Sequence, residues 1–353
     1  RLHKDSGVCN QCRLPAQTES GMTMIHGTTP DAEEFDASHT ALTFPLGGIG
    51  TGNVSLGSRG NLRDWEIFNR SQKGNALPNT FFAIRTQEAE SDEAPILRVL
   101  EGRIPPPNNK SHGYHPAQNG GLPRFAESTF TGEYPLAQVM LSDESLPVTV
   151  CMQAFTPLIP LNPEDSGIPG AYIAYTVTNH SDTPQNVTVV GSLCNPVGGI
   201  QYDHFENIAP SRQGKTINRI RTEDDLRGVF MTAEEIDEDA LRYGSMAIVT
   251  DHADVTIKPV WLRSGWYDYL QEFWDDLHDG RLTDLQLEGA SPDGRPDTAS
   301  LGLVQRIAPG EAYTFNFWLT WHFPNRRYTW KTERHIRHEL ENGILSEIGR
   351  AHV

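Results

Sequence analysis

Tyr313, Phe315, Phe317, Leu319, Trp321 and Phe323 stand at alternate positions of one uninterrupted run. Successive side chains of a strand point to opposite faces, so this spacing sends six large apolar groups to one side of a sheet, which no helix can do. Such a stripe reads first as sandwich core and only second as a carbohydrate platform. The same period of two recurs upstream. Residues 171–179 and 187–193 flank the turn-rich 180–186 and predict a hairpin, and 246–250, 255–257 and 301–307 predict further strands. One helix interrupts them. Over 266–279 the residues Trp266, Leu270, Phe273, Trp274 and Leu277 fall at helical spacing, with Ser264 or Gly265 to begin the helix and Gly280 to end it. Asp268, Glu272, Asp275 and Asp276 are expected on its solvent face. A second helix is predicted over 332–341, its His335 and His338 read as surface residues. The fold class is therefore mainly β, a large antiparallel β-sandwich with a helical insertion.

Between Phe44 and Phe68, Gly47, Gly48, Gly50, Gly52, Gly57 and Gly60 punctuate short apolar pieces and imply tight hairpins. A dinucleotide-binding loop would need glycines at i, i+2 and i+5 ahead of a helix; Asn53 and Ser55 stand where the third glycine is required, which excludes that reading. A formal charge of −17 over 353 residues excludes nucleic acid and anionic surfaces as natural partners. No apolar run approaches membrane-spanning length. Four cysteines, Cys9, Cys12, Cys151 and Cys194, are too few for a disulfide framework, and the Cys9/Cys12 pair lacks a nearby second pair, so no metal site is assigned.

Three motifs resemble the opening signature of glycoside hydrolase family 116, the non-lysosomal glucosylceramidases and bacterial β-glucosidases: PLGGIGTG at 45–52, LGSRGNLRDWEIFN at 56–69 and PNTFFAI at 78–84. The likeness continues through FTGEYPLA at 130–137, LPVTVCMQAFTPLIPLNPEDSGIP at 146–169, NPVG at 195–198, LQEFWDDL at 270–277 and WHFPNR at 321–326, and weakens after Tyr328. The resemblance implies an N-terminal β-sandwich followed by an (α/α)6 toroid absent from this chain. It also implies a retaining β-glycosidase acting on β-glucosides without a cofactor. Retention needs two carboxyl groups about 5 Å apart. In the family both lie in the toroid, so no catalytic residue is assigned here.

Arg63, Asp64 and Trp65 are candidates for lining the domain interface or the outer side of the cleft. In a regular strand Arg63 and Trp65 would share one face and Asp64 and Glu66 the other. His322 and Asn325 are further interface candidates. The competing readings are that these residues only build the first hairpin, that the chain is a stand-alone carbohydrate-binding module using Trp261, Trp266 and Trp274, or that it is a structural sandwich mediating oligomerisation. Glycosylation sequons begin at Asn53, Asn69, Asn109, Asn179 and Asn186. The expected organisation is a loose arm over 1–41, the sandwich over 42–330 and the start of a linker over 331–346. Residues 347–353 back-translate to a common sequencing adapter and are expected to be an artefact outside the fold.

Overall fold

The alternating runs become strands in a computed structural model of the chain, which describes residues 33–106, 118–198, 201–202, 208–209, 215–265, 268–292, 295–326 and 349–350. In chain order the first strands are β1 (Glu34–Asp36), β2 (Thr43–Leu46), β3 (Asn53–Gly57), β4 (Leu62–Glu66), β5 (Phe81–Glu88), β6 (Ile96–Gly102), β7 (Arg124–Phe125) and β8 (Glu127–Glu133). Next come β9 (Leu136–Ser142), β10 (Val148–Phe155), the short helix α1 (Pro163–Ser166), β11 (Gly170–Asn179), β12 (Gln185–Cys194), β13 (Gln201–Tyr202) and β14 (Ile208–Ala209). The remainder is β15 (Lys215–Glu223), β16 (Leu226–Glu234), β17 (Ser245–Thr250), β18 (Val255–Lys258), helix α2 (Asp268–Asp279), β19 (Thr298–Ile307), β20 (Ala312–His322), β21 (Asn325–Arg326) and β22 (Gly349–Arg350).

A nine-stranded sheet in the order β1-β8-β9-β10-β11-β20-β17-β16-β15 faces a six-stranded sheet in the order β18-β19-β12-β5-β6-β7. A three-stranded β2-β3-β4 meander adds Leu46, Leu56 and Trp65 to their common core. Pairing in the nine-stranded sheet is antiparallel throughout; in the six-stranded sheet only β6 and β7 run parallel. The stripe is core as expected: Phe315, Phe317, Leu319 and Trp321 of β20 and Phe323 just past it are buried, and Tyr313 packs half-buried against them. Phe317 packs against Phe82 of the opposite sheet at 5.0 Å between ring centroids. Helix α2 covers the outer face of the six-stranded sheet through Phe273 and Leu277, which pack with Phe81, Val99, Val190 and Trp261. The Arg85 Nε donates to the His278 carbonyl at 2.8 Å, satisfying an orphan acceptor at the C-terminus of this helix. Gly280 follows it at φ +87°, in the left-handed region where glycine costs least.

Three expectations change. The predicted hairpin over 171–193 is an arch: β11 lies in one sheet and β12 in the other. Asn179 makes the corner, its Nδ2 donating to the Thr183 and Ile307 carbonyls at 2.8 and 3.1 Å, while its Oδ1 accepts from the Ser181 amide. The β19–β20 connection is a second arch, joined to the first where the Gly310 amide meets the Asn179 carbonyl at 3.0 Å. Alternation dictates which side chains are buried but not which strand lies alongside, so the two geometries look alike in sequence. Ordered structure also starts before Leu42, because Phe35 of β1 pairs with Phe130 of β8. Helix α2 is described over Asp268–Asp279, and the predicted start at Trp266 lies outside the described residues. Finally, Glu272 and Asp276 do not form a free solvent face: both bind the fully buried Lys258, at 2.5 and 2.8 Å. The 332–341 helix and the Cys9/Cys12 pair fall outside the described residues, whereas the backbone of Gly349–Arg350 pairs with Asn325–Arg326.

Candidate domain-interface site

One end of the sandwich is built from three segments that the chain brings together from far apart. The glycine loop between β2 and β3 lies against the connection between β10 and β11, where the Ile49 amide donates to the Ser166 carbonyl at 2.7 Å. A Cβ on Gly48 would stand 2.4 Å from backbone atoms of Gly167 and Ile168, so this approach admits only glycine. The end of β20 closes the group: the Trp321 indole donates to the Thr51 carbonyl at 2.8 Å and the Trp321 amide to the Pro169 carbonyl at 3.0 Å. Large apolar side chains project outward here. Ile49 is 59% exposed and Ile168 49%, with Leu158, Ile159 and Leu161 exposed beside them. Exposed apolar side chains gathered at one end of a folded domain make that end a candidate interaction surface.

The structure divides the residues singled out from sequence. His322 is exposed at this end, and Asn325 is buried just below it. The Asn325 Nδ2 donates to the Glu238 and Ala240 carbonyls at 2.6 and 2.8 Å. Its own carbonyl accepts from the Asn69 amide side chain at 2.9 Å. Replacing Asn325 with alanine leaves two loop carbonyls unsatisfied. It is expected to cost about 2 kcal/mol, seen as a lower melting temperature with faster proteolysis around Asp237–Tyr243.

Arg63, Asp64 and Trp65 do not alternate as a regular strand would. Asp64 adopts φ +52°, and the register slips so that Arg63–Glu66 opposes Asn53–Ser55 with one residue extra. With that bulge both Asp64 and Trp65 are buried, Trp65 in the core and Asp64 against the 66–75 turn. Asp64 Oδ1 accepts from the Gly74 amide at 2.6 Å, and the Arg63 Nη1 donates to the Thr40 carbonyl at 2.7 Å. Glu66 completes the turn by accepting from the Gln72 amide and Lys73. Partial burial pushes its carboxyl up, but Lys73, Gln72 and Ser71 together hold it below the usual glutamate range. Asp64 and Glu66 shape the 66–75 turn, and Arg63 ties β4 to the chain ahead of β2.

Among the tryptophans considered as sugar platforms, Trp261 is buried and stacked on Phe273 at 4.3 Å, and Trp274 packs against the α2 cluster. The sequons at Asn69 and Asn179 have their amide nitrogens engaged, and Asn179 is fully buried. Among the described residues, no group of three or more His, Cys, Asp or Glu converges as a metal site. Asp297, whose carboxyl burial pushes up despite the pull of Arg263, is clasped by that guanidinium at 2.9 and 3.0 Å. It serves as a structural anion there.

Sequence reading overlooked the exposed apolar residues themselves. The signal was present in PLIPLNP at 157–163, where prolines exclude regular pairing and leave large aliphatic groups in a loop. The family model described as "beta-glucosidase 2, glycosyl-hydrolase family 116 N-term" matches residues 43–339. Among solved structures, one described as a kojibiose phosphorylase from human microbiome aligns at TM-score 0.31 and 8% identity, over 88% of this chain and 28% of that one. A polysaccharide lyase aligns at TM-score 0.33 and 10% identity, over 81% of this chain and 33% of that one. The chain thus spans about a third or less of the solved structures it matches.

Proposed function

The chain belongs to glycosyl-hydrolase family 116, to its N-terminal domain, and on that premise we propose that it forms the β-sandwich of a retaining β-glycosidase acting on β-glucosides. In this reading it holds a following (α/α)6 catalytic domain against the end built from Ile49, Ile159, Leu161, Ile168 and Trp321. The observation that carries the reading is the gathering of exposed aliphatic side chains around the end of β20. His322 contributes from the rim, Asn325 fixes the loop beneath it, and Arg63, Asp64 and Trp65 support the surface from below. The paired carboxylates of the chemistry belong to the following domain.

The test is a triple Ile49→Ser, Leu161→Ser, Ile168→Ser variant made in the longer enzyme and in this chain alone. Each side chain is exposed in the chain alone, so its own melting temperature should stay within a degree or two of wild type. In the longer enzyme, burial of these groups across an interface is worth roughly 1.5–3 kcal/mol each. The variant should therefore lower the melting temperature and the turnover of a chromogenic β-glucoside. Unchanged turnover and unchanged melting of the longer enzyme would sink the proposal.

A further inference from the structure

The two outer faces of the sandwich are unequal. Helix α2 covers that of the six-stranded sheet, while the central strands of the nine-stranded sheet present theirs uncovered among the described residues. Inward positions on those strands, such as Val150, Ile173 and Phe317, are fully buried, so the intervening residues face outward. At the outward positions of β9, β10, β11, β17 and β20 there is no Asp, Glu, Lys or Arg, although 46 acidic and 29 basic residues are spread through the chain. Across this face runs an aromatic row, with the exposed carboxylate of Asp251, one residue past β17, near enough to add to burial in pushing the Tyr172 hydroxyl up. Phe155, Tyr172 and Trp318 are direct cross-strand partners on three adjacent strands. Their ring centroids are 4.9 and 5.5 Å apart, with interplanar angles of 46° and 53°. All three rings keep part of their surface exposed. Uncharged hydrogen-bonding groups flank the row: Gln153 and Asn316 two residues along the strands on one side, Thr320 on the other. The Tyr172 hydroxyl donates to Asn316 Oδ1 at 2.8 Å and fixes the ring.

We propose that this face is a binding site for a neutral oligosaccharide, with Phe155, Tyr172 and Trp318 stacking on its sugar rings. The apolar CH face of a sugar packs on aromatic carbon, and its hydroxyls need amide and hydroxyl partners; the face supplies both, and no Asp, Glu, Lys or Arg stands at the outward positions of its five strands. The lack of charged residues at those strand positions matches a neutral polyol, whereas a polyanion would be repelled by Asp251 and by the overall charge of −17. The successive tilts make the row twisted, which suits a soluble, twisting chain better than a flat crystalline surface. The inference goes beyond the catalytic reading above and does not depend on it, because it concerns binding by this chain and a different surface.

The test is calorimetric titration of this chain with cellohexaose and with xylohexaose, alongside wild-type, Trp318→Ala, Tyr172→Ala and Trp318→Phe proteins of matched melting temperature. Saturable binding is expected to at least one of the two, weakened about tenfold or more by either alanine variant and retained in part by Trp318→Phe. A folded chain that binds neither saccharide would overturn the proposal, as would binding that survives both alanine substitutions. A third result would overturn it in favour of a protein partner: shielding of Trp318 from acrylamide in the sugar-free longer enzyme, with the wild-type against Trp318→Phe difference in quenching lost.

Discussion

Glu101→Gln is expected to destabilise the chain by about 3–5 kcal/mol, because it leaves two buried guanidiniums without their counter-charge. Glu101, near the end of β6, is buried between Arg59 from the β3–β4 turn and Arg124 from β7. The Arg124 Nε donates to Glu101 Oε2 at 3.1 Å, and Arg59 donates to the same oxygen. The Gly102 amide also meets the Arg59 carbonyl at 2.8 Å. The triad therefore fastens the glycine-rich meander to the six-stranded sheet. Burial by itself pushes the Glu101 carboxyl up and the Arg59 guanidinium down, yet the two arginines prevail and hold the carboxyl below its ordinary range. The sign of the pH dependence follows. A carboxyl with a depressed folded pKa contributes stability that is fully present above the unfolded glutamate value, about 4.3, and is lost as pH falls through the lower folded value. Urea midpoints should thus drop steeply on acidification for wild type and less steeply for Glu101→Gln. Equal midpoints at neutral pH for the two proteins would refute the assignment. Replacing all three residues with apolar groups of similar volume should recover much of the loss, since the desolvation penalty disappears with the charges.

Lys258→Ala is expected to cost a similar amount, about 3–5 kcal/mol, and to loosen one element in particular. The ammonium of Lys258 is fully buried and donates to Glu272 at 2.5 Å, to Asp276 at 2.8 Å and to the Thr283 carbonyl at 2.9 Å. Asp276 also accepts from the Thr283 amide at 2.7 Å, so strand β18, helix α2 and the chain that follows it meet at one nitrogen. Removing the cation leaves two neighbouring carboxylates facing each other without their counter-ion. Amide exchange across Asp268–Asp279 should accelerate more than exchange in β11 or β20, whose hydrogen bonds do not pass through this node. The triple variant Lys258→Met, Glu272→Gln, Asp276→Asn should regain most of the stability. Uniform acceleration across both sheets would argue instead that the lysine supports the whole core.

The two nodes show where sequence reading stops. The helix over 266–279 was legible from Leu270, Phe273 and Leu277, and its buried side is the one that spacing predicts. Its acidic side was read as solvated, because nothing in a local pattern announces a lysine arriving from Val255–Lys258. Arg59, Glu101 and Arg124 are likewise separated by long stretches of chain, and each in isolation looks like a surface residue. Asp64 and Trp65 illustrate a different limit. Period two assigns them to opposite faces, but a bulge with one residue at φ +52° buries both, Trp65 in the core and Asp64 against the 66–75 turn. The apolar end was written in the prolines and aliphatic residues of 157–169, yet its meaning depends on the glycine loop that lies against it.

By itself the sequence determined the fold class, the inward stripe of β20, the insertion helix and the family, because each is carried by short-range periodicity or by contiguous motifs. Tertiary structure alone decided that 171–193 arches between sheets, that buried ions tie the layers, and that an aromatic row spans three strands on one face. The physical reason is that a strand's own pattern sets which side chains face inward, whereas the identity of its neighbour, and hence every cross-strand row and buried charge pair, is set by contacts between residues far apart in the chain.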